Sequence, residues 1–226
     1  MTASPLDEDT GDDLDNTAID QEATTTPCLT RGLNPRAALA WVRKHHGEPG
    51  VWKVLEALDD DDDRVLGGGR VSAPTWVPFL AHARLLHAID ATFGAGDLTL
   101  LRDVGRFMCQ RDFPLVARPL LRLASPGFFL DKAMRLWRLY HSHGRWEMTR
   151  TDGEVRAVLV GHPDSHPAFC ATFLGWMEGA LMLTGAHGVS SQEVRCATKG
   201  APCCSYTTTW MTGARDVRAR VPRPPS

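Results

Sequence analysis

The run from Trp146 to Met211 decides the fold: WEMTRTDGEVRAVLVG over 146–161, HPDSHPAFCATFLGWMEGALMLTG over 162–185, and AHGVSSQEVRCATKGAPCCSYTTTWM over 186–211. In the first stretch two extended segments flank Asp152-Gly153, a favoured two-residue hairpin turn. In the second, Ser165 or His166 caps a helix, Pro167 sits near its first turn, and Gly185 closes it after about five turns. In the third, VSSQEVRC and CSYTTTWM form another strand pair joined by ATKGAP.

Upstream the period is helical. Asn34-Pro35 reads as an N-cap followed by proline at the first helical position, opening a helix through Trp41 and Val42 to His45. Gly47-Glu48-Pro49-Gly50 interrupts it, and VWKVLEAL leads into Asp59–Asp63. Those five adjoining acids repel one another, so an exposed loop is expected, extended by Gly67-Gly68-Gly69. A calcium loop spaces its ligands rather than abutting them, so no cation is expected there. Pro74-Thr75-Trp76-Val77-Pro78 starts the next helix, FLAHARLLHAIDATF; His82 and His87 within it do not share a face and read as surface or boundary residues. LTLLRDVGRFMCQ, PLVARPLLRLA (interrupted by Pro119) and FFLDKAMRLWRLYHSHG follow as further helices. Helices, hairpin, helix, hairpin imply an α+β fold: a twisted antiparallel sheet covered on one face by helices.

The chain has 226 residues, 43% of them hydrophobic and 23% charged, which suits one ordinary globular domain with tails. Residues 1–30 hold eight acids and no Lys or Arg, so the net charge of −2 divides into −8 there and +6 on the rest. That acidic, Thr-rich stretch buries too little apolar area to offset its ordering entropy, so it reads as a disordered tail. The body is placed at 31–212, and 213–226, GARDVRARVPRPPS, reads as an Arg/Pro-rich tail. The body's arginines are scattered among apolar residues, so nucleic acid is not an expected partner. No run is long and apolar enough to span a membrane, and the acidic N-terminus lacks the basic and apolar regions of a secretory signal. The expected compartment is the cytoplasm, where six cysteines are thiols or metal ligands rather than disulfides.

Four of those cysteines crowd into residues 170–204. A hairpin brings Cys196 near Cys204, and Cys170 approaches if its helix packs on the same sheet. Glu193 comes within reach if the strand bulges before Cys196. Thiolates and one carboxylate in a tetrahedral shell suit Zn²⁺. Two cysteines around a glycine loop are only half of a zinc knuckle, however, and small buried thiols in a reducing compartment are the alternative. Nothing orders a Ser/His/Asp or paired-carboxylate catalytic set; Glu154 and Glu178 stand isolated, so an enzyme is the less favoured reading. His162 and His166 have metal-like spacing, but Pro163 and Pro167 break any helix that would align them. His141 and His143 read likewise as loop histidines. The aromatic residues of the long helices either fill a solid core or line a pocket, and periodicity does not separate the two.

The stretch FCATFLGWMEGALMLTGAHGVSSQEVRCATKGAPCCSYTTTW resembles the 4-vinyl reductase-type small-molecule-binding domain, found beside the sensing regions of phenol- and xylene-responsive bacterial activators and in a bacteriochlorophyll biosynthesis protein. Its pattern is a Cys, a helix containing Gly, Glu-x-x-Cys, a Gly loop, then Cys and a strand. Here Cys170, Gly175 or Gly179, Glu193 to Cys196, Gly200 and Cys204 stand in that order. The resemblance implies a structural zinc on Cys170, Glu193, Cys196 and Cys204, with Cys203 a rival for the last place because adjacent strand residues face opposite ways. A shell so filled leaves no open position for catalysis, so zinc would staple helix to hairpin. Related folds are the haem nitric-oxide-binding domain and the TRAPP tethering subunits, which imply an apolar pocket between sheet and helices. Phe107, Phe128, Trp137, Phe169, Phe173 and Trp176 are then the candidate ligand-binding residues for an apolar or aromatic small molecule. Tyr140-His141-Ser142-His143-Gly144-Arg145 resembles the haem domain's Tyr-x-Ser-x-Arg with one residue too many, and the 40 residues before it hold no histidine, so haem is not expected. The family's sensors carry an ATPase and a DNA-binding helix-turn-helix; this chain has no GxxxxGK[ST] loop, so output through a homodimer or another protein is expected. Alternatives are a tetrapyrrole-metabolism enzyme or carrier, and a ligand-free TRAPP-like scaffold.

Overall fold

The structure, a computed structural model, describes residues 26–113, 121 and 125–211. In chain order the elements are β1 (Leu29–Arg31), α1 (Leu33–Glu56), α2 (Asp60–Val65), β2 (Trp76–Pro78), α3 (Phe79–Phe93), α4 (Leu100–Asp112), α5 (Pro126–Arg135), α6 (Trp137–Tyr140), β3 (Arg145–Thr151), β4 (Glu154–Val160), α7 (Pro167–Leu183), β5 (His187–Arg195) and β6 (Cys204–Met211). The sheet runs β3-β4-β6-β5, all antiparallel, and β1 pairs with β2 as a separate ribbon. This is the expected α+β arrangement, with helices on one face of an antiparallel sheet.

Alternation along the strands sets the buried face. Val155, Ala157 and Leu159 of β4 and Cys204, Tyr206, Thr208 and Trp210 of β6 point inward, while Arg156 and Thr209 are exposed. Helix α7 lies across that inward face; its mean composition is apolar all round because it is covered on both sides, by the sheet and by α4. The contact with α4 is unusually close. A Cβ on Gly105 of α4 would sit 1.9 Å from the Thr172 carbonyl oxygen, and one on Gly175 of α7 would sit 2.0 Å from that of Arg102. The two backbones can meet only because neither position carries a side chain. The seam is locked by charge: Arg102 Nη1 and Arg106 Nε donate to the buried Glu178 carboxylate at 2.7 and 3.0 Å, and Ser191 N–H of β5 donates to it at 3.1 Å. One carboxylate thereby ties α4, α7 and the sheet edge together.

Several expectations shift. The fold starts before residue 31: Leu29–Arg31 pairs with Trp76–Pro78, and Cys28 is buried. The segment Trp76–Pro78 is therefore strand rather than helix start, and the helix opens at Phe79. Helix α1 begins at Leu33 behind Gly32, with Asn34 and Pro35 already inside its first turn. Its expected break is a kink at Gly47 (φ 67°, ψ −171°), ahead of Pro49, which has no N–H to continue the hydrogen-bond ladder. The acidic run is not a loop. Asp59 caps α2 by accepting from Asp62 N–H, and Asp62 is buried against Arg84 of α3, Nη2 to Oδ1 2.6 Å. A cation from another helix relieves the repulsion that the sequence alone suggests. His82 is fully buried, not at a boundary. The expected helix PLVARPLLRLA and the outer parts of both tails lie outside the described residues.

Gly105→Ala is expected to lower stability by about 1–3 kcal/mol, the usual cost of forcing atoms into a filled seam. Urea unfolding measures it, and an unchanged midpoint would show that α4 and α7 do not approach this closely.

Candidate ligand pocket and thiol cluster

Two sites flank α7. The first is a cavity of about 130 Å³ between the C-terminal end of α4, helices α5 and α6, and α7. Phe169, Thr172, Phe173 and Trp176 of α7, at spacings of three and four, present one face to it. Opposite stand Ala133, Met134 and Leu136, then Trp137, Tyr140 and His141; Asp112 and Phe113 close one end, and Asn34 of α1 also reaches it. The rings brace one another. Trp137 stacks on His141 with centroids 3.7 Å apart, Phe113 meets Phe129 edge-on at 5.1 Å, and Trp146 backs Phe173 at 4.5 Å.

The pocket's polar groups are few and specific. Trp176 Nε1 donates to Asp112 Oδ2 at 2.8 Å, and Trp137 Nε1 donates to the His143 carbonyl at 2.8 Å. Burial pushes the Asp112 carboxyl up to about 6, against the downward pull of the Trp176 bond and neighbouring Arg111. His141 is buried, and its Nδ1 has no hydrogen-bond partner. Desolvation, with His162 and His82 nearby, holds its pKa well below the ordinary range, so the ring is neutral. Among the expected ligand residues, Trp137, Phe169, Phe173 and Trp176 line this cavity. Phe107 does not: it packs beside His45 and under Lys44, 5.3 Å from ring centre to Nζ. Phe128 does not either, being exposed beside Arg150 and Trp210. Their helices present these two rings to other surfaces. Asp112 went unnoticed in the sequence, and Tyr140 and His141 stood there only in the haem-like motif and, for His141, as a loop histidine. An acid on the last residue of a helix, where the dipole disfavours negative charge, was the available signal for Asp112.

The second site lies on the other side of α7. Cys170, Glu193, Cys196 and Cys204 bring their ligand atoms within 4.8 Å of one another. The register of β5 against β6 shifts between Glu193 and Arg195, the bulge that lets Glu193 face the same way as Cys196. Cys204 faces inward, and Cys203 lies outside the group. Cys170 Sγ is 3.8 Å from Cys204 Sγ and accepts from Tyr206 O–H at 3.2 Å. The Cys170 thiol and the Ala197 N–H both donate to Cys204 and pull it down to about 6 against its burial. Cys170 and Cys196 are pushed the other way and keep their protons. Glu193 Oε1 is buried without a partner. Elsewhere His166 caps α7 by accepting from Ala168 N–H, while His162 Nε2 stands 3.4 Å from Cys28 Sγ.

No protein-family model matches the chain, and no curated protein matches it. Its fold is shared with H-NOX domains. It is similar to the Fe(II) unliganded H-NOX protein from K. algicida (TM-score 0.58, 13% identity, covering 81% of this chain and 98% of that one). It is similar to the S. oneidensis H-NOX protein in the Fe(II)NO state (0.52, 14%, 80% and 99%) and to an oxygen-binding H-NOX domain related to soluble guanylate cyclases (0.52, 15%, 78% and 92%). At such identity the likeness is one of fold. It also corrects the expected cofactor: these neighbours are described with Fe(II), and their family with haem, so a structural zinc ion does not stand.

Haem, which the shared fold brings into question, does not fit this chain. A cavity of about 150 Å³ accepts benzene, and 130 Å³ has no room for a porphyrin. His141 alone among the histidines lines it, and one face of its ring is covered by Trp137. Of the Tyr-Ser-Arg residues only Tyr140 lines the cavity: Ser142 Oγ accepts from Leu29 N–H at 2.8 Å, and Arg145 pairs with Glu147 at 2.7 Å.

Buried neutral histidines make the fold acid-labile. His82, held down to about 3 by desolvation, and His141 are both neutral when folded, whereas an unfolded histidine titrates near 6.5. The unfolded chain therefore takes up more protons between pH 6.5 and 3, and the stabilisation present above 6.5 is lost on acidification. The expected loss approaches about 1.4 kcal/mol per pH unit per ring in that window. Urea unfolding at stepped pH tests this; the His82→Gln, His141→Gln double variant should show a shallower pH slope.

Proposed function

We propose that the chain is a small-molecule-binding sensor module of the 4-vinyl reductase type, and that its ligand is an apolar or aromatic molecule the size of one ring. The observation that carries this reading is the aromatic-walled cavity of about 130 Å³ with an unpartnered buried ring nitrogen, His141 Nδ1, on its wall. Ligand sites are concave, mostly apolar and furnished with a few placed polar groups, and the shape here suits a benzene-sized guest. The size disfavours the tetrapyrrole alternative. The signal passes to a second copy of the chain or to another protein. Toluene is expected to bind the purified protein and to shift the fluorescence of Trp137 and Trp176. Ala133→Leu, which fills the cavity from α5, should abolish that response while leaving the circular dichroism unchanged. A wild type indifferent to toluene and its congeners favours the ligand-free scaffold.

A further inference from the structure

The cavity's polar groups say more about the guest than its size does. Its donors are largely spent. Trp176 Nε1 is committed to Asp112, Trp137 Nε1 to the His143 carbonyl, and the Thr172 hydroxyl to the Ala168 carbonyl at 2.9 Å. Its acceptors are open. Asn34 uses one of its two amide N–H groups on Thr30 Oγ1, and Asp112 has one neutral donor on one oxygen. The groups able to act either way are the Tyr140 hydroxyl and neutral His141, whose Nδ1 has no partner.

Asp112 is costly where it stands. It is half-buried and ends a helix whose dipole opposes a negative charge. Among the described residues no ion pair reaches it. Neighbouring Arg111 lies beside Phe107, 5.8 Å from that ring's centre, and the groups from other elements near the carboxyl are the Trp176 N–H of α7 and the Tyr140 phenol of α6. The opposite end holds neutral His141, and among the described residues that line the cavity none is a cation. Phe113, Trp137, Phe173 and Trp176 line the same cavity, and the faces of such rings attract cations.

We infer that the guest is a small organic cation, a one-ring or similarly sized amine, and that Asp112 determines this specificity by pairing with its ammonium group. The inference rests on the reading of the cavity as a one-ring ligand site. A protonated amine supplies N–H donors to the open carboxylate oxygen and a positive charge beside it. A neutral guest of equal shape leaves the carboxylate as it is.

Benzylamine, benzyl alcohol and toluene share a ring and differ in their head group. Calorimetric titration of the full chain at pH 7.5 should rank benzylamine about tenfold or more ahead of benzyl alcohol, the scale of a charge-assisted hydrogen bond over a neutral one. Asp112→Asn keeps the acceptor for Trp176 Nε1 and removes the charge; it should erase the preference for the amine over the alcohol. Equal binding of amine and alcohol to wild type, or a preference that survives Asp112→Asn, overturns the inference and leaves the one-ring pocket standing. Failure of all three to bind overturns both.

Discussion

Everything in this fold that bears on function depends on the backbone-to-backbone seam between α4 and α7. Gly105 and Gly175 bring the helices so close that carbonyl oxygens occupy the space a methyl group would need. The Glu178 carboxylate, held by Arg102, Arg106 and the Ser191 amide, fixes the rotation of α7 about its own axis. With that rotation set, the two other sides of α7 are assigned. One carries Phe169, Phe173 and Trp176 to the cavity, and another carries Cys170 to Tyr206 and Cys204 on the sheet. The seam also places the last residue of α4, Asp112, against Trp176.

The two sites are neighbours through a short chain of rings. Phe173 lines the cavity and lies 5.2 Å from Tyr206, whose hydroxyl donates to Cys170. Trp146 stacks on Phe173 from the β3 side and lies 5.8 Å from the same tyrosine. Phe173 is therefore packed against the residue that donates to Cys170. Packed interiors pass displacements on because they have little free volume to absorb them.

Much of the architecture was legible in the chain. Asp152-Gly153 marked the first hairpin, Pro167 and Gly185 bounded α7, and the clustering of Cys170, Glu193, Cys196 and Cys204 was readable from spacing and resemblance, including the bulge that Glu193 needs. What misled were local rules overruled from a distance. The acid run became helix because Arg84, twenty-two residues on, neutralises Asp62. Trp76–Pro78 became strand because Leu29–Arg31 lay ready to pair with it. Phe107 and Phe128 looked as ring-like as Phe173, yet their helices turn them to other surfaces. The zinc expectation followed a sequence resemblance; iron and haem belong to the neighbours that share the fold, and neither the cavity's size nor its histidine accommodates the latter here.

By itself the sequence determined the order of elements from β3 onward, the antiparallel sheet and the residues able to converge on α7, because hydrophobic period, turn chemistry and caps act over a few neighbouring positions. Tertiary structure alone decided that a cavity exists, how large it is, and that Asp112 and His141 sit on its wall. Those outcomes depend on helix rotation and on the distance between backbones, set by contacts such as Gly105 to Thr172 between residues far apart in the chain. No local pattern encodes the volume left unfilled when such surfaces meet.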